Sequence, residues 1–328
     1  MSTSAQPSAT PETTIVTLGA LASGVAYKQV KKALSHRKQV LQDTQPEALH
    51  QMRVGYRRIQ TAAAVFEGVM KPPKGSTLTQ MDETIRRLGR VRDLDVLQQW
   101  LTDHLPQEKL TEAEALALAT VQQQLAKVRK RQFTRLRKHL KGNDYKTLTD
   151  RLKRWATESS PHLSAQLPVA LVLPDLIAPQ LSQTLQHPGW LVGTRPDQVG
   201  LPKPISRMSL ARINACLTEQ GQPLHALRKQ VKQLRYTLEC LNPEQAQPLK
   251  EHISALRQLQ SALGTLQDET VLSRLLLKSL GDDWASQLPT LVKTLDQERR
   301  QTWKAWQKQQ TQYLDPTFRR QLRQLDLG

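Results

Sequence analysis

Two short segments of the chain carry the same chemistry-bearing pattern, a histidine followed three and seven positions later by basic residues. His50, Arg53 and Arg57 form the first, with Arg58 beside them; His225, Arg228 and Lys232 form the second, followed by Arg235. A guanidinium offers a planar fork that matches two phosphate oxygens, and a lysine brings a point charge to the same group. An imidazole adds a donor whose charge changes near neutral pH. Such a set holds anions. A phosphate-rich ligand would raise both imidazole pKa values, so binding should strengthen as the pH falls through about 6 to 7.

The repetition extends beyond these residues. A shift of 175 positions carries Leu49-His50 onto Leu224-His225, Arg53 onto Arg228 and Arg57 onto Lys232. With no gap, the same shift carries Leu88-Gly89 onto Leu263-Gly264, Asp93 onto Asp268 and Val96-Leu97 onto Val271-Leu272. Each half thus reads as a histidine segment and then, after about 35 residues, a segment L-G-x-x-[RQ]-D-x-x-V-L. Arg92 of the first copy is replaced by Gln267 in the second, whereas the aspartate stays. Arg92 is therefore expected to touch ligand, and Asp93 and Asp268 to hold a cation of their own half in place. Arg37 and Arg212, each 13 residues before a histidine, are expected as secondary contacts.

These residues need an element that aligns them, and the spacing specifies a helix. At 100° per residue His50, Arg53 and Arg57 fall within about 60°, opposite Met52, Ile59, Ala63 and Phe66. His225, Arg228, Lys232 and Arg235 fall within about 80°, opposite Leu227, Val231, Leu234, Leu238 and Leu241. A solvated helix face usually mixes signs. Setting Arg53 and Arg57 four apart instead costs a few tenths of a kcal/mol, and both copies repeat that arrangement.

Composition sets the wider frame. The 328 residues include 47 Lys and Arg against 29 Asp and Glu, a net charge of +18, which favours a polyanionic partner. Aromatics are 4% and glycines only 14, which argues for an all-α fold and against sandwiches, barrels and glycine-rich nucleotide folds. Residues 1–12 are Ser-, Thr- and Pro-rich and are expected to be a disordered lead. The rest divides into a first helical half over 13–158, a proline-rich joint over 159–206 with one or two short helices, and a second half over 207–328. Turn chemistry marks breaks at 44–46, 71–76, 106 and 142–144, then at 221–223, 242–248 and 281–283. No apolar run is long enough for a membrane span or placed as a secretory signal. Cys216 and Cys240 sit among apolar helical neighbours, which suits a reducing cytoplasm.

On its paired histidine motifs, on LHALRKQVKQLRYTLE at 224–239 and on LGRVRDLDVL at 88–97, the chain resembles the CHAD family, the conserved-histidine α-helical domain, over 13–328. The resemblance implies two antiparallel helical bundles of about four helices each, related by a pseudo-twofold axis and facing one another across a basic groove or pore. It further implies binding of inorganic polyphosphate and association with polyphosphate granules. His50, Arg53, Arg57 and Arg58, and His225, Arg228, Lys232 and Arg235, match the family's binding stripes. Gln60, Gln233 and Gln267 stand where the family often has basic residues, so the groove is expected to carry fewer contacts.

No catalytic residue, cofactor or metal site is expected. A Walker A pattern, a C-x-x-C, an H-E-x-x-H and the E-x-E-x-K of triphosphate tunnel enzymes are all absent, and phosphate hydrolysis would want acidic metal ligands that the cationic stripes lack. Binding without turnover is the expectation. The rival partner is nucleic acid, which +18 would hold non-specifically. Single-strand readers, however, stack bases on aromatics, and the stripes contain only Tyr56 and Tyr236. Two further basic runs, 127–141 and 297–308, are expected to form a solvated outer face or a granule contact rather than to line the groove.

Overall fold

A computed structural model describes residues 16–71, 73, 75, 77–157, 162–242 and 249–324, without the side chains of Gln107 and residues 267–270. The lead over 1–12 lies outside these residues. The first half runs through α1 (Leu18–Ser35), α2 (Arg37–Gln42), α3 (Pro46–Val65), α4 (Thr77–His104), α5 (Glu112–Lys141) and α6 (Asn143–Thr157). After it come α7 (Val169–Leu185) and a two-stranded hairpin, β1 (Thr194–Pro196) with β2 (Pro202–Pro204). The chain continues through α8 (Leu210–Leu241), α9 (Leu249–Leu280), α10 (Trp284–Gln287), α11 (Pro289–Leu314) and α12 (Pro316–Arg323). The fold is all-α, as composition predicts.

Local chemistry explains the boundaries. Pro46 opens α3 at the position where a missing N–H costs nothing. Thr111 caps α5 in a reciprocal box with Glu114. The break expected at 221–223 is a kink within α8: Pro223 cannot donate to the carbonyl four residues back, and Gln220 leaves helical geometry at φ −122°, ψ 16°. The joint over 159–206 contains more structure than two short helices. α7 runs 17 residues through Pro174 and Pro179, because Ile177, Leu181 and Leu185 recur at helical spacing and bury themselves. It packs on α8, and α1 packs on α3.

The apolar core does not divide where the sequence halves do. One cluster runs through α1, α3 and α4 into α7, α8 and α9. A second is shared by the distal ends of both halves, with Leu97, Leu101 and Leu125 from α4 and α5 against Leu272, Leu276 and Leu295 from α9 and α11. Buried Glu114 reinforces that second cluster: it accepts from the Thr111 N–H at 3.1 Å and from the Thr290 N–H at 2.7 Å, tying the start of α5 to the start of α11. Among the described residues no helix is long and apolar enough to cross a membrane.

Candidate functional site

The two histidine helices, α3 and α8, pack directly on each other. Each lies antiparallel to the next helix of its own half. On that neighbour the repeated glycine sits under the repeated arginine: a Cβ at Gly89 would stand 3.3 Å from Arg53 Nε, and one at Gly264 would stand 3.0 Å from Arg228 Nη2. A methyl at either position would push the guanidinium away by a few tenths of an ångström, so glycine lets it approach the neighbouring helix this closely. The L-G dipeptide of the second motif thus seats the arginine of the first.

Besides the direct packing of α3 on α8, two junctions tie the halves together, one on these two helices and one on the helices beside them. At one end Glu239 of α8, with 8% of its side chain exposed, holds three arginines. Its Oε2 accepts from Arg58 of α3 at 2.7 Å, and its Oε1 from Arg235 at 2.6 Å and Arg257 at 2.9 Å. At the other end lies the second apolar cluster. Between the junctions are His50, Arg53, Arg57 and Arg92 from the first half and Arg228 and Lys232 from the second.

These side chains share one electrostatic environment. Burial pushes the Lys232 ammonium down to about 7, reinforced by Arg53 and Arg57 across the interface and by Arg228 and Arg235 on its own helix. Burial also lowers His50, helped by Arg92, Arg53 and Lys232 and opposed by Glu47. Arg57 is lowered by burial and by Arg53. Among the described residues, His50 Nδ1, Arg53 Nε and Arg57 Nε are buried with no hydrogen-bond partner. Cations have thus been gathered from both halves with donors to spare, a cost that an anion entering the cluster would offset.

The acids divide differently from the sequence expectation. Among the described residues Asp93 makes no hydrogen bond or ion pair with a cation of its own half, though Arg53 is the cation that acts on it most. It keeps accessible surface while enclosure raises its carboxyl pKa against the pull of Arg53, Arg228, Lys232 and Arg92, so it faces cations of both halves. The Asp268 side chain lies outside the described residues. The acid that does hold cations is Glu239, which motif reading missed. Its one legible signal is the i, i+4 spacing from Arg235, and the decisive partner, Arg58, is 181 positions away.

Four sequence-nominated cations are placed elsewhere. Arg58 and Arg235 face Glu239 at the junction. Arg37 donates to the Leu140 carbonyl at 2.9 Å and lies over the Tyr145 ring, fastening the end of α5. Arg212 is exposed on α8 ahead of its kink. Neither nominated aromatic is a free stacking surface. Tyr56 is fully buried with its hydroxyl on Tyr145, and buried Tyr236 has Arg235 and Lys232 over its ring. Among the described residues no group of three His, Cys, Asp or Glu could hold a metal ion.

Comparison with known proteins identifies the family and the fold. A family model described as CHAD domain matches residues 24–277. The structure is similar to the CHAD domain of the plant Ricinus communis, at 19% identity and a TM-score of 0.55, covering 88% of this chain and 86% of that one. It is also similar to PptA from Streptomyces chartreusis, at 17% identity and a TM-score of 0.64, covering 89% of this chain and 99% of that one. Among curated proteins none matches.

Proposed function

The chain belongs to the CHAD domain family, and from that premise we propose that it binds inorganic polyphosphate, without turning it over, in a groove formed by the cation cluster between α3, α4 and α8. The observation that carries this reading is Lys232, half-buried among Arg53, Arg57 and Arg228, drawn from both halves. A fold that holds four cations so close that one loses its proton near neutrality is costly on its own and fits a ligand of high linear charge density.

The alternative polymer is nucleic acid. Base recognition or stacking needs aromatic faces or polar side chains at the groove wall, and both nearby tyrosines are already covered. A chain of phosphates offers no bases and carries a charge about every 3 Å, which the clustered guanidinium forks match. Among the described residues the cluster is mostly donors, with Asp93 facing them and Glu47 and Asp82 at its edge, so it suits holding phosphate oxygens rather than positioning water or a metal for hydrolysis.

The test is direct. Replacing Arg53, Arg57, Arg228 and Lys232 with Ala should weaken binding of long polyphosphate by several kcal/mol in total, at roughly 1 kcal/mol or more per charge-assisted contact. Displacement of polyphosphate by single-stranded or duplex DNA at equal phosphate concentration would overturn the assignment. We place the protein, on the same reading, in the cytoplasm at polyphosphate granules; colocalisation of a fluorescent fusion with granules tests that separately.

A further inference from the structure

The helix that carries the most one-sided charge does not contribute to this cluster. From Ala115 to Asn143 the chain contains no Asp or Glu, yet residues 127–141 of α5 hold eight Lys and Arg. One of them, Arg129, is tied down by Asp95 at 2.6 Å and Asp43 at 2.7 Å, on the inner side of the helix. The other seven are all exposed, and among the described residues none has a carboxylate within ion-pair distance. They span roughly 160° of the helix surface, opposite buried Leu118, Leu125, Leu136 and Leu140, and extend about 21 Å along its axis.

This stripe differs from an ordinary solvated face. Neighbours three and four apart are repeatedly of like sign, as in Lys127 with Arg131 and Arg131 with Arg135, and each such pair is unfavourable. The basic run of α11 is built the other way: Arg299 has Asp296 at 3.6 Å and donates to Asn214 at 2.7 Å. The stripe is also separate from the groove, since the charges acting most on His50, Lys232 and Asp93 come from α3, α4 and α8.

Resting on the polyphosphate reading, we propose that the outer face of α5 is a second, independent binding surface for a phosphate polymer, so that one molecule holds two segments of chain and cross-links them. Seven cations over about 21 Å give one per about 3 Å of helix axis, the linear density of the polymer. The stripe offers no stacking platform, because Phe133 is turned against the core with Arg129 over its ring. Single-stranded nucleic acid would therefore find no aromatic face to stack on, and the phosphate chain is the partner that the surface fits.

The test uses the full chain in four forms: unaltered; with Lys127, Lys130, Arg131, Arg135 and Lys138 replaced by Gln; with the four groove cations replaced by Ala; and with both sets. Glutamine keeps helix propensity, and circular dichroism checks each fold. With chains of several hundred phosphates the unaltered protein should scatter light near charge neutrality. The α5 variant should bind a short chain within about threefold of the unaltered affinity but lose at least tenfold in scattering. The groove variant should retain weak binding that disappears when the α5 changes are added. Undiminished scattering by the α5 variant overturns the proposal, as does duplex DNA outcompeting polyphosphate for the groove variant. Full short-chain affinity in the groove variant would instead sink the groove reading, leaving the α5 surface to be judged by scattering alone.

Discussion

Nη2 of Arg228 lies where a Cβ on Gly264 would stand 3.0 Å away, so the arginine of the second histidine helix rests against the one residue type that leaves it room. Arg53 and Gly89 repeat the contact at 3.3 Å. Alanine at either glycine should favour the helix by roughly 0.5–1 kcal/mol, because glycine in a helix interior costs that much in chain entropy. The same methyl must displace the guanidinium by a few tenths of an ångström. Gly264→Ala is therefore expected to raise the melting temperature slightly and to weaken polyphosphate binding, with a smaller binding loss for Gly89→Ala. A variant that gains stability at undiminished affinity would show that the seat plays no part in ligand binding.

Adjacent arginines on α3 should behave oppositely. Arg58 is fixed by Glu239, whereas Arg57 has Nε unpartnered among the described residues and reaches only Gln60, at 3.2 Å. Arg58→Ala leaves a carboxylate at the junction with one cation fewer and should cost about 1–3 kcal/mol of stability, with affinity nearly unchanged. Arg57→Ala should cost at least 1 kcal/mol of binding and little stability. Denaturant titration and a binding isotherm on the two variants decide it. Glu239→Gln, which weakens contacts to all three arginines, should be the most destabilising of the three.

The contrast also marks how far the sequence could be read. Periodicity and the shift of 175 positions located both histidine helices, the apolar faces opposite them and the glycine–aspartate segments, because these are local patterns repeated in register. What periodicity cannot supply is the partner of a charge. A helical wheel turns Arg58 about 100° away from Arg57 but does not say what holds it, and the answer is Glu239, 181 residues further along the chain. Arg37 is comparable: it superposes on Arg212, yet the Leu140 carbonyl that holds it is 103 residues away. A short helix is expected in the joint, but the full 17-residue length of α7 was obscured for a different reason. Proline is a strong local breaker, and the burial of Ile177, Leu181 and Leu185 that overrides it depends on α8.

Glu114 gives a prediction about acid stability. The N–H groups of Thr111 and Thr290 hold its carboxyl below the usual carboxylate range. A carboxyl lowered on folding contributes stability that is present above its unfolded pKa and is lost as the pH falls through the folded value. Glu114→Gln should cost about 1–3 kcal/mol at pH 7, since the paired donors lose a charged acceptor, and the gap should narrow towards pH 3. Unfolding curves at both pH values test it. A gap that is the same at both would assign the loss to packing rather than to charge.

Lys232 gives the sharpest pH signature, because folding and binding pull its proton in opposite directions. In the ligand-free protein its pKa of about 7 lies well under the 10.5 of an unburied lysine. Between those values the unfolded chain binds more protons than the folded one, so the contribution of this group to stability rises with pH across that window. A phosphate chain lying among Arg53, Arg57, Arg228 and Lys232 would reverse the local field and restore the proton, so binding above pH 7 takes up close to one proton at this site. Affinity should then fall by up to tenfold per pH unit from pH 7 towards the bound pKa. Histidine 50, lowered by burial and by Arg92, adds a smaller uptake below that range. Calorimetry at pH 8 in buffers of different ionisation enthalpy counts the proton directly. Lys232→Arg, which keeps the charge at every pH in question, should remove the uptake and flatten the affinity profile. Zero uptake by the unaltered protein would mean that the ligand does not reach Lys232.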